Sequence, residues 1–230
     1  MMLSQITPWI SSRLKYAAAA IALVVVALLH SFLAQQLTVS GLLEEVTGTD
    51  FFDADANRWI TAIEWIVLGG FLVFWAMGRE RAMGRIILGY ACYVTLSLAA
   101  SVLGLVFTLT DRKTPDAGFD LLWDAFVVWT INVLIFGVWY WLLDGGRENV
   151  DSQTRRDFLF PQQANQLPGW HDWQPTWADY LFLAFTHSTA FSPTDTAALS
   201  RRAKFLIMIQ SSLSLVTLAM IAARAINVIN

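Results

Sequence analysis

The chain has 230 residues, 56% of them hydrophobic and 14% charged, with a formal net charge of -3 at pH 7. Apolar residues gathered into runs of bilayer length exclude a soluble domain and identify a polytopic membrane protein. The absence of a basic tract argues against nucleic-acid binding, which needs clustered Lys and Arg to neutralise phosphates.

The amino-terminal segment carries Arg13 and Lys15 ahead of the apolar run Tyr16–Gln35. That run exceeds the roughly 7–15 residues of a signal-peptide core and lacks a small-x-small cleavage pattern, so it reads as a retained first span. Further spans follow at Trp59–Met77, Ile86–Leu109, Leu121–Leu143 and Phe205–Ile226, each near the ~20 residues that a helix needs to cross a bilayer. Cys92 lies within the third span and reads as a small packing residue.

Between the fourth and fifth spans lies a polar loop, Gly145 to Pro175, containing Asp157-Phe158-Leu159-Phe160-Pro161-Gln162-Gln163 and the tryptophans Trp170, Trp173 and, just beyond, Trp177. Tryptophans at close intervals suit a segment at headgroup level. The next apolar run, Tyr180 to Phe191, is too short to cross and ends at Ser192-Pro193-Thr194-Asp195, where proline cannot continue a helix. The expected fold class is an all-α membrane protein with five transmembrane helices and a re-entrant half-helix before the last. Residues 1–120 would hold spans one to three. Residues 121–230 would form a pore-like module of span four, a cytoplasmic loop, a re-entrant helix at 178–190, a filter-like loop at 191–196 and span five.

Topology follows from the cations. If the short segment returns to the side it came from, Arg13, Lys15, Arg79, Arg81, Arg85, Arg147, Arg155, Arg156, Arg201, Arg202 and Lys204 share one side. Arg58, Arg112, Lys113 and Arg224 take the other, with the acidic first loop. The positive-inside rule then places the N-terminus in the cytoplasm, the C-terminus outside, and the loop opening towards the cytoplasm.

Strongly polar residues at membrane depth need a partner or water. Glu64 in span two, Asp124 and Asn132 in span four, and Gln210 in span five are such residues. Glu64 either accepts a buried hydrogen bond from a neighbouring helix or takes part in ion or proton movement. His30, on an otherwise apolar span, reads as a satisfied or interfacial histidine. The serines Ser211 and Ser214, with Gln210, either glue helices together or line a wet pore. No HExxH, paired CxxC, GxSxG or glycine-rich phosphate motif is present, so neither an enzyme nor a metal or other cofactor is expected.

Asp179, Leu181, Ala184, Thr186 and Thr189, a short polar stretch ending in Asp195, basic residues and a long apolar helix resemble the pore helix, filter and inner helix of the potassium-channel superfamily. Span four would be the outer helix, and the resemblance covers residues 121–228. Where that family has Thr-Val-Gly-Tyr-Gly-Asp, this chain reads Thr189-Ala190-Phe191-Ser192-Pro193-Thr194-Asp195, with no glycine. Carbonyls held by glycine at positive φ are therefore not expected. The cytoplasmic face of the loop resembles the sense of ionotropic glutamate receptor pores. The whole chain also resembles a group of bacterial integral membrane proteins of about this length, which implies an inner-membrane location and carries no activity.

These readings converge on weakly selective conduction of monovalent cations through a homotetramer in the lipid bilayer. Thr189, Ala190, Phe191, Ser192, Thr194 and Asp195 would form the filter, and Gln210, Ser211 and Ser214 would line the cavity. The alternatives are a non-conducting accessory or scaffold protein, with Asp195 and Thr196 as helix caps, and a transporter dependent on Glu64 and Asp124.

Overall fold

A computed structural model of the chain describes residues 17, 20–32, 62, 64–71, 73–74, 77, 79–110, 118–145, 156–164, 168–170, 173–189 and 195–229. The described residues are largely helical. Helix α1 is Ala20–Phe32, α2 covers residues 64–71, α3 is Glu80–Thr110, and α4 is Gly118–Tyr140 with a π-helical turn at Trp141–Gly145. After strand β1 (Phe158–Leu159) come the single-turn helix α5 (Pro161–Ala164) and the half-helix α6 (Trp177–Thr189). Strand β2 (Ala197–Ala198) and helix α7 (Arg201–Ile229) complete the order.

Three described helices are long and apolar enough to cross a membrane: Ala82–Val106, Leu122–Asp144 and Arg201–Ala223. They coincide with the third, fourth and fifth expected spans. Helix α1 is apolar but shorter, and α2 covers the middle of the second expected span, whose remainder lies largely outside the described residues. Helix α3 starts at Glu80 and α7 at Arg201, earlier than the apolar runs suggest. The backbone stays helical through the basic residues because Arg and Lys are good helix formers that can extend their charge to the interface.

Local chemistry sets the ends of the last two helices. At α6, Thr176 N–H and Oγ1 both donate to Asp179 Oδ2, at 2.7 and 2.8 Å. Both bonds run from Thr176 to the aspartate, which stands at the usual Glu or Gln position of a capping box and supplies its carboxylate half only. At α7, Ser200 Oγ accepts from Ala203 N–H at 3.1 Å, so Ser200 is the cap. Asp195 and Thr196, the caps suggested by the sequence, instead form a bend before β2.

The chain groups into two compact units. One comprises residues 1–24 and 133–211, and its core is aromatic. Tyr140, Phe158 and Tyr180 are fully buried, with ring centroids 5.1 Å apart for Tyr140 and Phe158 and 5.4 Å for Phe160 and Tyr180. Within it, α4 and α6 approach closely, since a Cβ on Gly137 would lie 3.3 Å from Leu181 Cα. The other unit comprises residues 25–132 and 212–230. Its core includes Val26, Ile87, Ala91, Val94 and Ile131, while Cys92 faces outward rather than into the packing.

Candidate functional site

Three polar side chains organise the unit that contains the short helix α6. The first is Gln210, completely buried on α7. Its amide nitrogen donates to Ala184 O and to Ser188 Oγ, both at 2.8 Å, and its Oε1 accepts from the Tyr140 hydroxyl. Both N–H groups and the carbonyl are thus in use, so one neutral side chain joins α4, α6 and α7 and leaves no amide group of its own stranded. One residue on, Ser211 Oγ donates to His187 O at 3.2 Å.

The second is Asp157, almost fully buried just before β1. Its carboxylate accepts two bonds from Arg202, from Nε at 2.7 Å and from Nη2 at 2.5 Å. This forked geometry is the strong form of the Arg–carboxylate pair. Its backbone carbonyl accepts from Leu199 N–H at 2.9 Å, beside the antiparallel pairing of Phe158 with Ala198 and Leu159 with Ala197.

The third is Asp144, placed by the π-helical turn that ends α4. Its Oδ1 accepts from Asp157 N–H at 2.8 Å, and its Oδ2 from the Tyr180 hydroxyl at 3.2 Å. The end of α4, β1 and β2, the first turn of α6 and the first turn of α7 therefore meet around two carboxylates. Burial and the neighbouring Asp144 push the Tyr180 hydroxyl well above the usual phenol range.

At its other end, α6 directs several groups back into the helix. Thr186 Oγ1 donates to Leu183 O at 2.8 Å, and Thr189 Oγ1 to Thr186 O at 3.2 Å. His187 Nδ1 carries a proton and donates to Leu183 O at 2.7 Å, since a carbonyl can only accept.

Of the filter-like residues, Thr189 closes α6 and Asp195 is exposed, while Ala190, Phe191, Ser192 and Thr194 lie outside the described residues. Gln210 and Ser214 are buried, and Ser211 is half-buried. Asp124 and Asn132 are buried on α4.

Glu64 lies in the second unit, at the centre of a separate polar cluster. One carboxylate oxygen bonds His30 Nδ1, and the other accepts from Ser31 Oγ at 2.5 Å. His30 Nε2 contacts Ser97 Oγ at 2.5 Å, and the imidazole packs edge-on against Tyr93 at 5.6 Å. Glu64 and His30 stood out in the sequence as isolated polar residues within apolar runs. Their partners Ser31, Ser97 and Tyr93 did not, because a serine or tyrosine in an apolar helix has many ordinary roles. The same holds for Asp144, Asp157 and Tyr140, whose importance comes from residues distant in sequence. Compared with protein-family models, curated proteins and solved structures, the chain matches none.

Proposed function

We propose that residues 121–230 form a pore-loop module of the potassium-channel type, in a bacterial inner-membrane protein that passes monovalent cations with weak selectivity. One observation carries this reading: the segments before and after α6 are hydrogen-bonded to each other through β1 and β2. An excursion whose two ends are joined enters and leaves at one level. That level is marked by Asp157 and by the first turn of α7, which donates to it through Arg202.

The depth of the excursion follows from Gln210, nine helical residues beyond Arg201, or ~13 Å at 1.5 Å per residue. That is a little under half of a ~30 Å hydrocarbon layer. The contacts of Gln210 to Ala184 and Ser188 bring the second half of α6 to this depth. At 13 residues, α6 extends ~20 Å and could not cross alone. The stretch from Thr189 to Ala197 is long enough to return, at up to ~3.4 Å per residue.

In a four-fold assembly the carboxyl end of α6 would present a ring of Thr189 side chains. Each donates its proton to Thr186 O, so its oxygen lone pairs stay available to a cation. A ring of Asp195 carboxylates would concentrate cations at the mouth. Gln210 enters as the residue that fixes the half-helix, not one that meets the ion. The basic first turn of α7, with Arg201, Arg202 and Lys204, would set this mouth on the cytoplasmic side.

Reconstitution in liposomes tests the proposal. Wild-type protein is expected to pass potassium or sodium down a gradient, and Asp195→Asn to reduce the flux several-fold at low ionic strength, where a mouth charge acts most strongly. No flux in any cation gradient would overturn conduction and leave a non-conducting scaffold built on the same re-entrant element.

A further inference from the structure

Glu64 and His30 pose a problem that Gln210 does not. A carboxylate and an imidazole enclosed by apolar helices carry a desolvation cost that a neutral amide avoids. Both are nearly completely buried, with relative exposures of 1% and 4%. If the only task were to join α1, α2 and α3, neutral side chains would serve better.

We propose that His30, Glu64 and Ser97 form a proton-binding site inside the helical bundle, which takes up and releases one proton and so alternates between one negative charge and none. In the proton-poor form, Glu64 is a carboxylate and His30 is neutral. Nδ1–H donates to one Glu64 oxygen, Ser31 donates to the other, and Nε2 accepts from the Ser97 hydroxyl. On uptake, a proton delivered by water binds Nε2, and the Ser97 hydroxyl turns from donating to accepting, so the hydroxyl itself is unchanged. The imidazolium then donates from both nitrogens. Transfer of the Nδ1 proton to Glu64 yields a carboxylic acid and a neutral imidazole with no change in proton count.

The donor set favours a proton over a metal ion. Both carboxylate oxygens already receive hydrogen bonds, and among the described residues no three His, Cys, Asp or Glu side chains gather as metal ligands. Among the described residues, the titratable groups facing the pair are Tyr90 and Tyr93 of α3, both close enough to Glu64 to interact with it electrostatically. Tyr90 is a second, independent observation. Its residue is 5% exposed, and its hydroxyl has no hydrogen-bond partner among the described residues. Buried hydroxyls are nearly always paired, and this one lies beside an ionisable carboxyl group. It provides a position at which a water can be held beside the carboxyl group. None of these residues belongs to 121–230, so the site stands whether or not the pore-loop reading does.

Infrared difference spectroscopy of the full-length protein in lipid nanodiscs, stepped between about pH 5 and pH 8, tests the site. Wild-type protein is expected to show pH-dependent carboxyl or imidazolium bands that are lost in both Glu64→Gln and His30→Asn. Any pH-dependent bands from residues outside the pair would persist in both. Ser31→Ala keeps both titrating groups but removes a hydrogen bond to the carboxyl, and is expected to shift the Glu64 signal. That variant carries the test if Glu64→Gln fails to fold. Wild-type and Glu64→Gln spectra that superimpose, or a Ser31→Ala spectrum identical to wild type, would overturn the proposal.

Discussion

Around Gln210 the buried groups are neutral: an amide, two hydroxyls and a backbone carbonyl, with each amide hydrogen matched to an acceptor. Around Glu64 the buried groups are an acid, a base and hydroxyls, joined in a row from Ser31 to Ser97. Both clusters lie in helices that run through apolar surroundings, and both satisfy most of their polar atoms. They differ in what they can do next. A neutral network has one hydrogen-bonded state and serves as architecture, whereas an acid–base pair has at least two proton occupancies and can be driven between them. Asp157 and Arg202 form a third case, with a buried carboxylate opposite a guanidinium whose side chain is half exposed.

The largest effect is expected from Arg202→Ala, which would strand the Asp157 carboxylate. Removing one member of a buried pair typically costs about 3–5 kcal/mol, and the half-exposed arginine places this case near the lower figure. Asp157→Asn should cost less, about 1–2 kcal/mol, because the released guanidinium can turn to water and an amide oxygen remains to accept. Unfolding in mixed detergent micelles would measure both. Equal losses would mean that the pair is screened throughout, and that Asp157 acts only through its backbone contacts to β2 and Asp144.

Gln210→Leu comes next, at about 2 kcal/mol, since it leaves the Tyr140 hydroxyl buried without its acceptor. Adding Tyr140→Phe removes that stranded group, and the double variant should recover part of the loss. A coupling energy of about 1 kcal/mol between the two sites would place them in one network, and strict additivity would break that link.

The two clusters also differ in how much of them was legible in the sequence. Glu64, His30 and Gln210 could each be identified as polar residues inside apolar runs, because hydropathy patterning reports a misfit directly. A short helix before the last long one was legible too, from the length of its apolar run and from Pro193, and it is observed at Trp177–Thr189. The pairing of β1 with β2 was not. Two-residue strands carry no alternation, and their hydrogen bonds join positions about forty residues apart. The Asp157 fork and the Ser200 cap were missed for related reasons: one depends on tertiary proximity, and the other was displaced by β2 from the apparent cap residues Asp195 and Thr196. Gly137 looked like any glycine in a span until α6 was seen against it.

Gly137→Val sharpens the architectural side of the comparison. A Cβ there meets the backbone at Leu181 Cα at 3.3 Å, and a backbone atom cannot swing aside as a side-chain tip can. Overpacking of this kind costs about 1–3 kcal/mol, and the added branch should lower the thermal unfolding temperature while leaving the Glu64 infrared signal unchanged. A shift in both readouts would show that the two clusters are coupled, and they would then have to be treated as one device.

Tyr90→Phe should have the smallest effect on stability and be the most discriminating. Its hydroxyl forms no hydrogen bond among the described residues, so removing it forfeits no protein partner and spares an unmatched polar group its desolvation. Stability should stay within about 0.5 kcal/mol of wild type, as for a substitution that breaks no named interaction. The electrostatic surroundings of Glu64 nevertheless change, because a nearby phenol dipole disappears, and the pH-dependent Glu64 signal should move. Unchanged stability with a moved signal separates chemistry from architecture at a single atom. A loss of 1 kcal/mol or more would instead point to a bound water that the hydroxyl anchors. The Glu64 cluster would then owe part of its stability to solvent, unlike the Gln210 network, in which protein groups supply every amide partner.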